Sequence, residues 1–163
     1  LSPIFDYACS SWYNGVSVKY KHKLQTCQNK IIRYILGLGS RDHVGPEELD
    51  KVGWLDVSHR AAQQQLHHVH NIFYSRSPGY LGLNFVRANA RHNYYTRNSN
   101  FGFCVERTNS ISNKTFYSNG IKLWNSLPRT LQSLESKIGF KTELKKHLIS
   151  EMYRKEAQVF FYY

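Results

Sequence analysis

Phe140, Leu144, Leu148 and Met152 recur every four residues near the end of the chain. That spacing stacks them on one side of an α-helix, and Ser136 stands ahead of them as an N-cap. It predicts a helix over about 137–157, with Lys137, Lys141 and Lys145 beside the apolar stripe. A second stripe of the same period, Ala62, Leu66, Val69 and Phe73, predicts a helix that reaches Tyr74 and is capped by Asp56 or Ser58. Two long amphipathic stripes commit the chain to a mainly α fold, a small helical bundle.

The remaining signals are shorter. Pro3 to Tyr13 reads as a helix stopped near Asn14-Gly15. Ser17 precedes a helix over about 18–36 on which Tyr20, Leu24, Cys27, Ile31 and Ile35 share one face. Lys19, Lys23, Lys30 and Arg33 share another, which as an isolated feature is also an ordinary wet basic side. Gly37 and Gly39 break that helix, Pro46 opens a short one, and Trp54-Leu55 reads as a core anchor. Ser77-Pro78-Gly79 ends the helix of the second stripe. Residues 80–100 are rich in Asn, Arg and Gly and read as a long ordered basic loop. Phe101 to Thr108 and Ile111 to Phe116 are expected to form a β-hairpin across Asn109-Ser110, although no Gly marks the turn. Tyr117 to Ser126 reads as a helix stopped by Leu127-Pro128. The chain divides at about residue 40, into a helical segment 1–40 and a helical region 41–163 that carries the basic loop 78–100.

Charge narrows the function classes. Lys and Arg number 22 against 11 acids, a formal charge of +11 in 163 residues. Such an excess favours a polyanionic partner, either nucleic acid or an acidic membrane surface; the plainer alternative is a basic solvated surface. The excess is uneven. Residues 1–56 carry a net +1, residues 57–100 +5, and residues 101–163 +5. From Val57 to Val105 there is no acid at all, and the Lys/Arg cations are Arg60, Arg76, Arg87, Arg91 and Arg97. Five histidines and eight Phe or Tyr lie among them. Arg suits bidentate phosphate contacts, and aromatic rings stack on unpaired bases. At 15% aromatic the chain is too rich in rings for a disordered tail. No apolar run of 18 residues offers a transmembrane helix, no signal-peptide pattern occurs, and the first residue is Leu1 rather than Met, which reads as part of a longer protein.

No motif points to catalysis. The acids are scattered, whereas two-metal chemistry needs clustered carboxylates. In the densest group, Glu47, Glu48, Asp50 and Asp56 are explained as charges at helix N-termini and only Asp42 is not. Walker-type, GxGxxG and GxSxG patterns are absent, and no spacing rule joins Cys104 to His92. Of His67, His68 and His70, the first and last give an i, i+3 pair, two ligands with no carboxylate or Cys nearby, so zinc is not expected. Cys9, Cys27 and Cys104 are odd in number and widely spaced, which predicts reduced, buried thiols in a cytosolic or nuclear protein. Neither a cofactor nor a metal is called for.

A set of local patterns runs along the chain in order. Ser2-Pro3-Ile4-Phe5-Asp6-Tyr7-Ala8-Cys9 is followed by Trp12, then by Leu24-Gln25-Thr26-Cys27-Gln28-Asn29-Lys30 and Ile31-Ile32-Arg33. Pro78-Gly79-Tyr80-Leu81 and His92-Asn93-Tyr94-Tyr95-Thr96-Arg97 come next. Ser118-Asn119-Gly120-Ile121-Lys122-Leu123-Trp124-Asn125-Ser126-Leu127-Pro128 then leads to Phe140-Lys141-Thr142-Glu143-Leu144-Lys145. This order resembles the region after the reverse-transcriptase palm of non-LTR (LINE-type) retrotransposon proteins, above all the chicken-repeat and Jockey-like groups. The likeness spans about Ser2 to Leu148.

The resemblance implies that the polymerase carboxylates lie upstream, that residues 1–37 match the end of the thumb, and that the rest helps hold template RNA and target DNA. It implies no zinc knuckle, since the Cys/His set of some LINE groups is missing here. On this reading Arg87, Arg91 and Arg97 contact phosphate and Tyr94 and Tyr95 stack on bases, with Lys19, Lys23, Lys30 and Arg33 as secondary contacts. Trp124, Leu127 and Pro128 are structural, and Thr96 does local backbone work. The expected function is a non-catalytic, nucleic-acid-binding C-terminal segment. Its partners are the RNA or DNA backbone and the upstream polymerase portion of the same protein, in the nucleus or cytoplasm and not at a membrane. Two alternatives stand beside it: a protein-interaction or structural module that docks on the polymerase, and a decayed transposon relic without function. If the first helix lacks thumb partners, the isolated chain is expected to be marginally stable or to self-associate through residues 1–13.

Overall fold

The fold is built around one central helix. In the computed structural model, which describes residues 6–77, 79–91, 101–105 and 115–160 (the side chains of Arg91 and of 156–160 excepted), Asp56 caps this helix by accepting from the His59 backbone N–H at 2.6 Å. The described helices are α1 (Cys9–Trp12), α2 (Val18–Leu36), α3 (Pro46–Lys51), the central α4 (Val57–Phe73), α5 (Gly79–Gly82), α6 (Ala88–Arg91), α7 (Phe116–Ser126), α8 (Arg129–Gln132) and α9 (Lys137–Phe160), with a 3-10 turn at Tyr13–Gly15. Helix α4 packs against α7 and α9, and on its other flank against α1 and α2. The described residues form a mainly α bundle without a strand.

The core follows the two apolar stripes. Leu66, Val69 and Phe73 of α4 are buried, while Ala62 is half-exposed and Ala61 takes its place inside. All four expected residues of α9, Phe140, Leu144, Leu148 and Met152, are buried, and Ser136 Oγ accepts from the Gly139 N–H at 3.3 Å. Burying side chains of this size contributes roughly 1.5–3 kcal/mol each before ordering entropy is subtracted. Trp124 on α7 is fully buried among Phe73, Phe103 and Phe140, and its indole donates to the Phe101 carbonyl at 2.7 Å. Thr115 caps α7, and the extended Leu127 before Pro128 ends it. Gly120 sits where α7 crosses α4: a Cβ there would lie 3.0 Å from Val69 Cγ2.

Two expectations change in the middle of the chain. The region from Gly79 onward holds two single-turn helices, α5 and α6, where a long loop is expected. The expected hairpin does not form over its described residues. Phe103 pairs instead with Arg87 in an isolated antiparallel bridge, and its own N–H and C=O bond the Asn125 amide at 2.9 and 2.8 Å. Phe116 is helical because Thr115 accepts from the Ser118 N–H and starts α7 there. Residues 106–114, the rest of that hairpin, lie outside the described residues.

Helix α2 has the expected length but turns a different face inward. Its buried residues are Gln28 and Ile32, whereas Tyr20 and Ile35 are 58% and 51% exposed and Cys27 is exposed as well. Hydrogen bonds explain the rotation. Gln28 Nε2 donates to the Leu55 carbonyl at 2.8 Å, and Gln25 Oε1 accepts from the Val57 N–H at 3.0 Å. Docking through backbone groups at the start of α4 outweighs the apolar stripe. Of the three thiols only Cys9 is buried, in a small cluster with Tyr13, Val57 and Ala61 that fixes the opening segment to α4. Asp6 adds a two-pronged ion pair with Arg60, at 2.8 and 2.7 Å. At the far end of α2, Gly37 takes a left-handed φ of 65°, and its N–H closes the helix on the carbonyls of Arg33 and Tyr34.

Candidate nucleic-acid interface

Lys19, Lys23 and Lys30 fall within about 40° of one another around the axis of α2, at about 100° per residue. They lie on the side away from Gln28 and Ile32 and are exposed. None of the three meets a carboxylate among the described residues. Lys23 instead sits 5.5 Å over the Tyr20 ring. Arg33, on the edge of the stripe, is half-buried and donates from Nε to the Asp42 carbonyl at 2.8 Å. The apolar face of α2 flanks these lysines: Tyr20, Ile35 and the 89%-exposed Tyr34 offer surface that a stacking or docking partner can use.

A second basic surface joins α4 to α9. Arg60, Gln63, Gln64 and His67 stand at i, i+3, i+4 and i+7 on α4 and face Lys141, Lys145 and Lys146 of α9 across a groove. Lys146 bonds Glu143 at 2.7 Å, Lys145 donates to the Gly53 carbonyl at 3.0 Å, and Lys141 has no partner among the described residues. Burial, reinforced by the nearby charges of Lys141 and Arg60, pulls the His67 imidazole down to about 4, so it is neutral at pH 7. The three neighbouring histidines do different things. His70 stacks on Phe140 at 4.1 Å with its Nε2 2.8 Å from the Leu134 carbonyl, His68 is exposed, and His67 lies edge-on to Phe140.

Two of the four arginines after α4 in the acid-free stretch, Arg76 and Arg87, serve the fold. Arg87 Nη2 donates to the Phe73 carbonyl at 2.6 Å, and its guanidinium lies 4.5 Å over the Phe73 ring. It thereby satisfies a carbonyl at the C-terminus of α4, where a cation also suits the helix dipole. Its residue surface stays exposed, so the same guanidinium can still meet a phosphate. Arg76 Nη1 donates to the Glu135 carbonyl at 2.7 Å, tying α4 to the start of α9.

The expected site residues are therefore not gathered in one place. Lys19, Lys23 and Lys30 share a stripe, with Arg33 at its edge. Arg87 stands at the far end of α4. Arg91 ends α6, its side chain outside the description, and Tyr94, Tyr95 and Arg97 lie outside the described residues. The α4–α9 groove was not among the expected contacts. Its signal was present in the polar i, i+3, i+4, i+7 series on α4 and the Lys141/Lys145 pair on α9. Comparison with protein families, with curated proteins and with solved structures returns no match for this chain. No described helix is long and apolar enough to cross a membrane.

Proposed function

We propose that the chain is a non-catalytic, nucleic-acid-binding C-terminal segment of a LINE-type reverse transcriptase, holding RNA or DNA by its backbone. The observation that carries this reading is the lysine stripe of α2, three exposed cations on one line without a carboxylate partner among the described residues. A surface of this kind attracts phosphates spaced along a strand and releases their counterions on binding. The excess of cations over acids along the whole chain supports the same partner. Arg87, Arg91 and Arg97, with Tyr94 and Tyr95, are proposed as further contacts, and the upstream polymerase as the body that presents this segment to its template.

A filter-binding titration at two salt concentrations tests the proposal. Affinity should fall steeply with salt, and replacing Lys19, Lys23 and Lys30 by Ala should flatten the slope by up to about 0.9 per lysine on duplex DNA. Binding that ignores salt would overturn it. The exposed apolar face of α2 favours a second reading, in which this helix docks on the polymerase and the charge is incidental. Tyr20→Ser with Ile35→Ser separates the two, since it weakens docking onto the polymerase portion while leaving the salt slope unchanged.

A further inference from the structure

Next to the α4–α9 groove lies a cavity of about 230 Å³ beside α1, walled by Cys9, Trp12, Trp54 and Ala61. Admitting a single water takes roughly 10–15 Å³, so the space suits a group much larger than solvent. Arg60, Gln63 and Lys145 line both the cavity and the groove, which makes the two neighbours. We propose that this cavity receives one unstacked nucleobase from a single strand whose backbone runs along the groove past Lys141, Lys145 and Lys146.

Three observations select a flat, neutral group with a hydrogen-bonding edge. First, the walls are largely aromatic and aliphatic and include two tryptophans, a ring type on which any base can pack. Second, apart from Lys145 at its edge, the cavity holds no unneutralised charge among the described residues. Asp6 and Arg60 neutralise each other through two hydrogen bonds, and burial raises the Cys9 thiol and the Tyr13 phenol, so both stay protonated at pH 7. Third, Gln63 is 4% exposed, and its Oε1 accepts from Arg60 at 2.7 Å, while its amide Nε2 has no acceptor among the described residues. That N–H is left for a ligand or solvent, and the O and ring-N acceptors of a base suit it. The charged part of a nucleotide belongs outside, where Lys141 is unpartnered among the described residues and Lys145 bridges to Gly53 at the cavity edge. This inference rests on the nucleic-acid reading and adds a base site to it.

Fluorescence anisotropy on the full chain tests it with two probes of equal length and charge: a labelled oligouridylate and an abasic ribose-phosphate strand. The wild type should bind the abasic strand roughly five- to 150-fold more weakly, the range expected when one stacked base is lost. Ala61→Leu, which projects into the cavity, should raise the melting temperature by filling it and abolish the difference between the probes. Gln63→Leu keeps the side-chain volume, serves if the first variant does not fold, and should shrink the difference as well. Equal, salt-sensitive binding of both strands by the wild type would overturn the base site while leaving the nucleic-acid reading intact. A folded Ala61→Leu or Gln63→Leu protein that still discriminates as the wild type does would also overturn it. No salt-sensitive binding of either strand would remove both.

Discussion

Gly120→Ala tests the packing at the centre of the bundle, because two opposing effects there can be weighed. Placing Ala for Gly inside a helix is worth about 1 kcal/mol in propensity. The new Cβ, however, lies 3.0 Å from Val69 Cγ2 and 3.4 Å from Gln65 Nε2. Neither neighbour yields easily. Val69 is fully buried and stiff at its branched Cβ. Gln65 is held by its own donation to the Phe116 carbonyl at 2.6 Å and by bonds from Asn14 and Asn119 at 3.2 and 2.8 Å. Overpacking of this kind costs about 1–3 kcal/mol, which leaves a net loss of up to about 2 kcal/mol. For a chain of this size that is a fall in Tm of about 2–4 °C per kcal/mol. In a Val69→Ala background the opposing methyl is gone, and Gly120→Ala should then stabilise by about 1 kcal/mol. Urea unfolding of all four proteins gives the coupling energy, expected at about 1–3 kcal/mol. Additive effects, with Gly120→Ala stabilising in both backgrounds, would refute the close crossing of α4 and α7.

Asp56→Ala removes the cap of α4 and should lower stability by about 1–2 kcal/mol in a denaturant melt, whereas Ser58→Ala, two residues further on, should cost far less. Arg87→Ala frees the Phe73 carbonyl and should cost about 1–2 kcal/mol in the absence of nucleic acid; an unchanged melt would mean that Arg87 is free for other work. The imidazoles of His67 and His70 are held down by burial, that of His67 to about 4, so the unfolded chain takes up protons below about 6.5 that the folded chain refuses. Stability should therefore decline as pH falls from about 6.5 towards 4, and His67→Gln should make the decline shallower in melts at neutral and acid pH; parallel declines would show that His67 does not contribute.

Helices whose buried stripe matches their most apolar face were legible from the chain alone. For α9 the stripe and the Ser136 cap agree, for α7 the Leu127-Pro128 stop does, and the folded helices occupy the expected ranges within a few residues. Helix α2 was legible in its length and not in its orientation. Side-chain amides of Gln25 and Gln28 bond backbone groups of Leu55 and Val57, and no periodicity of hydrophobicity encodes a bond across that distance. The region after α4 misled for a similar reason. Its short turns are held by Arg87 and Asn125, whose partners lie 14 and 22 residues away. The site was legible in part. The lysines of α2 stand where their spacing put them, while the α4–α9 groove exists only once two helices distant in sequence are packed together.

The proposal stands most directly on the salt dependence of binding. Affinity for a short single-stranded RNA, measured across a salt series with the wild type and with the Lys19→Ala, Lys23→Ala, Lys30→Ala triple variant, should give a linear log–log plot of negative slope, and the variant's slope should be shallower by up to about 0.7 per lysine. Binding that is absent at low salt, or present with no dependence on salt, would contradict a backbone-binding role for this chain.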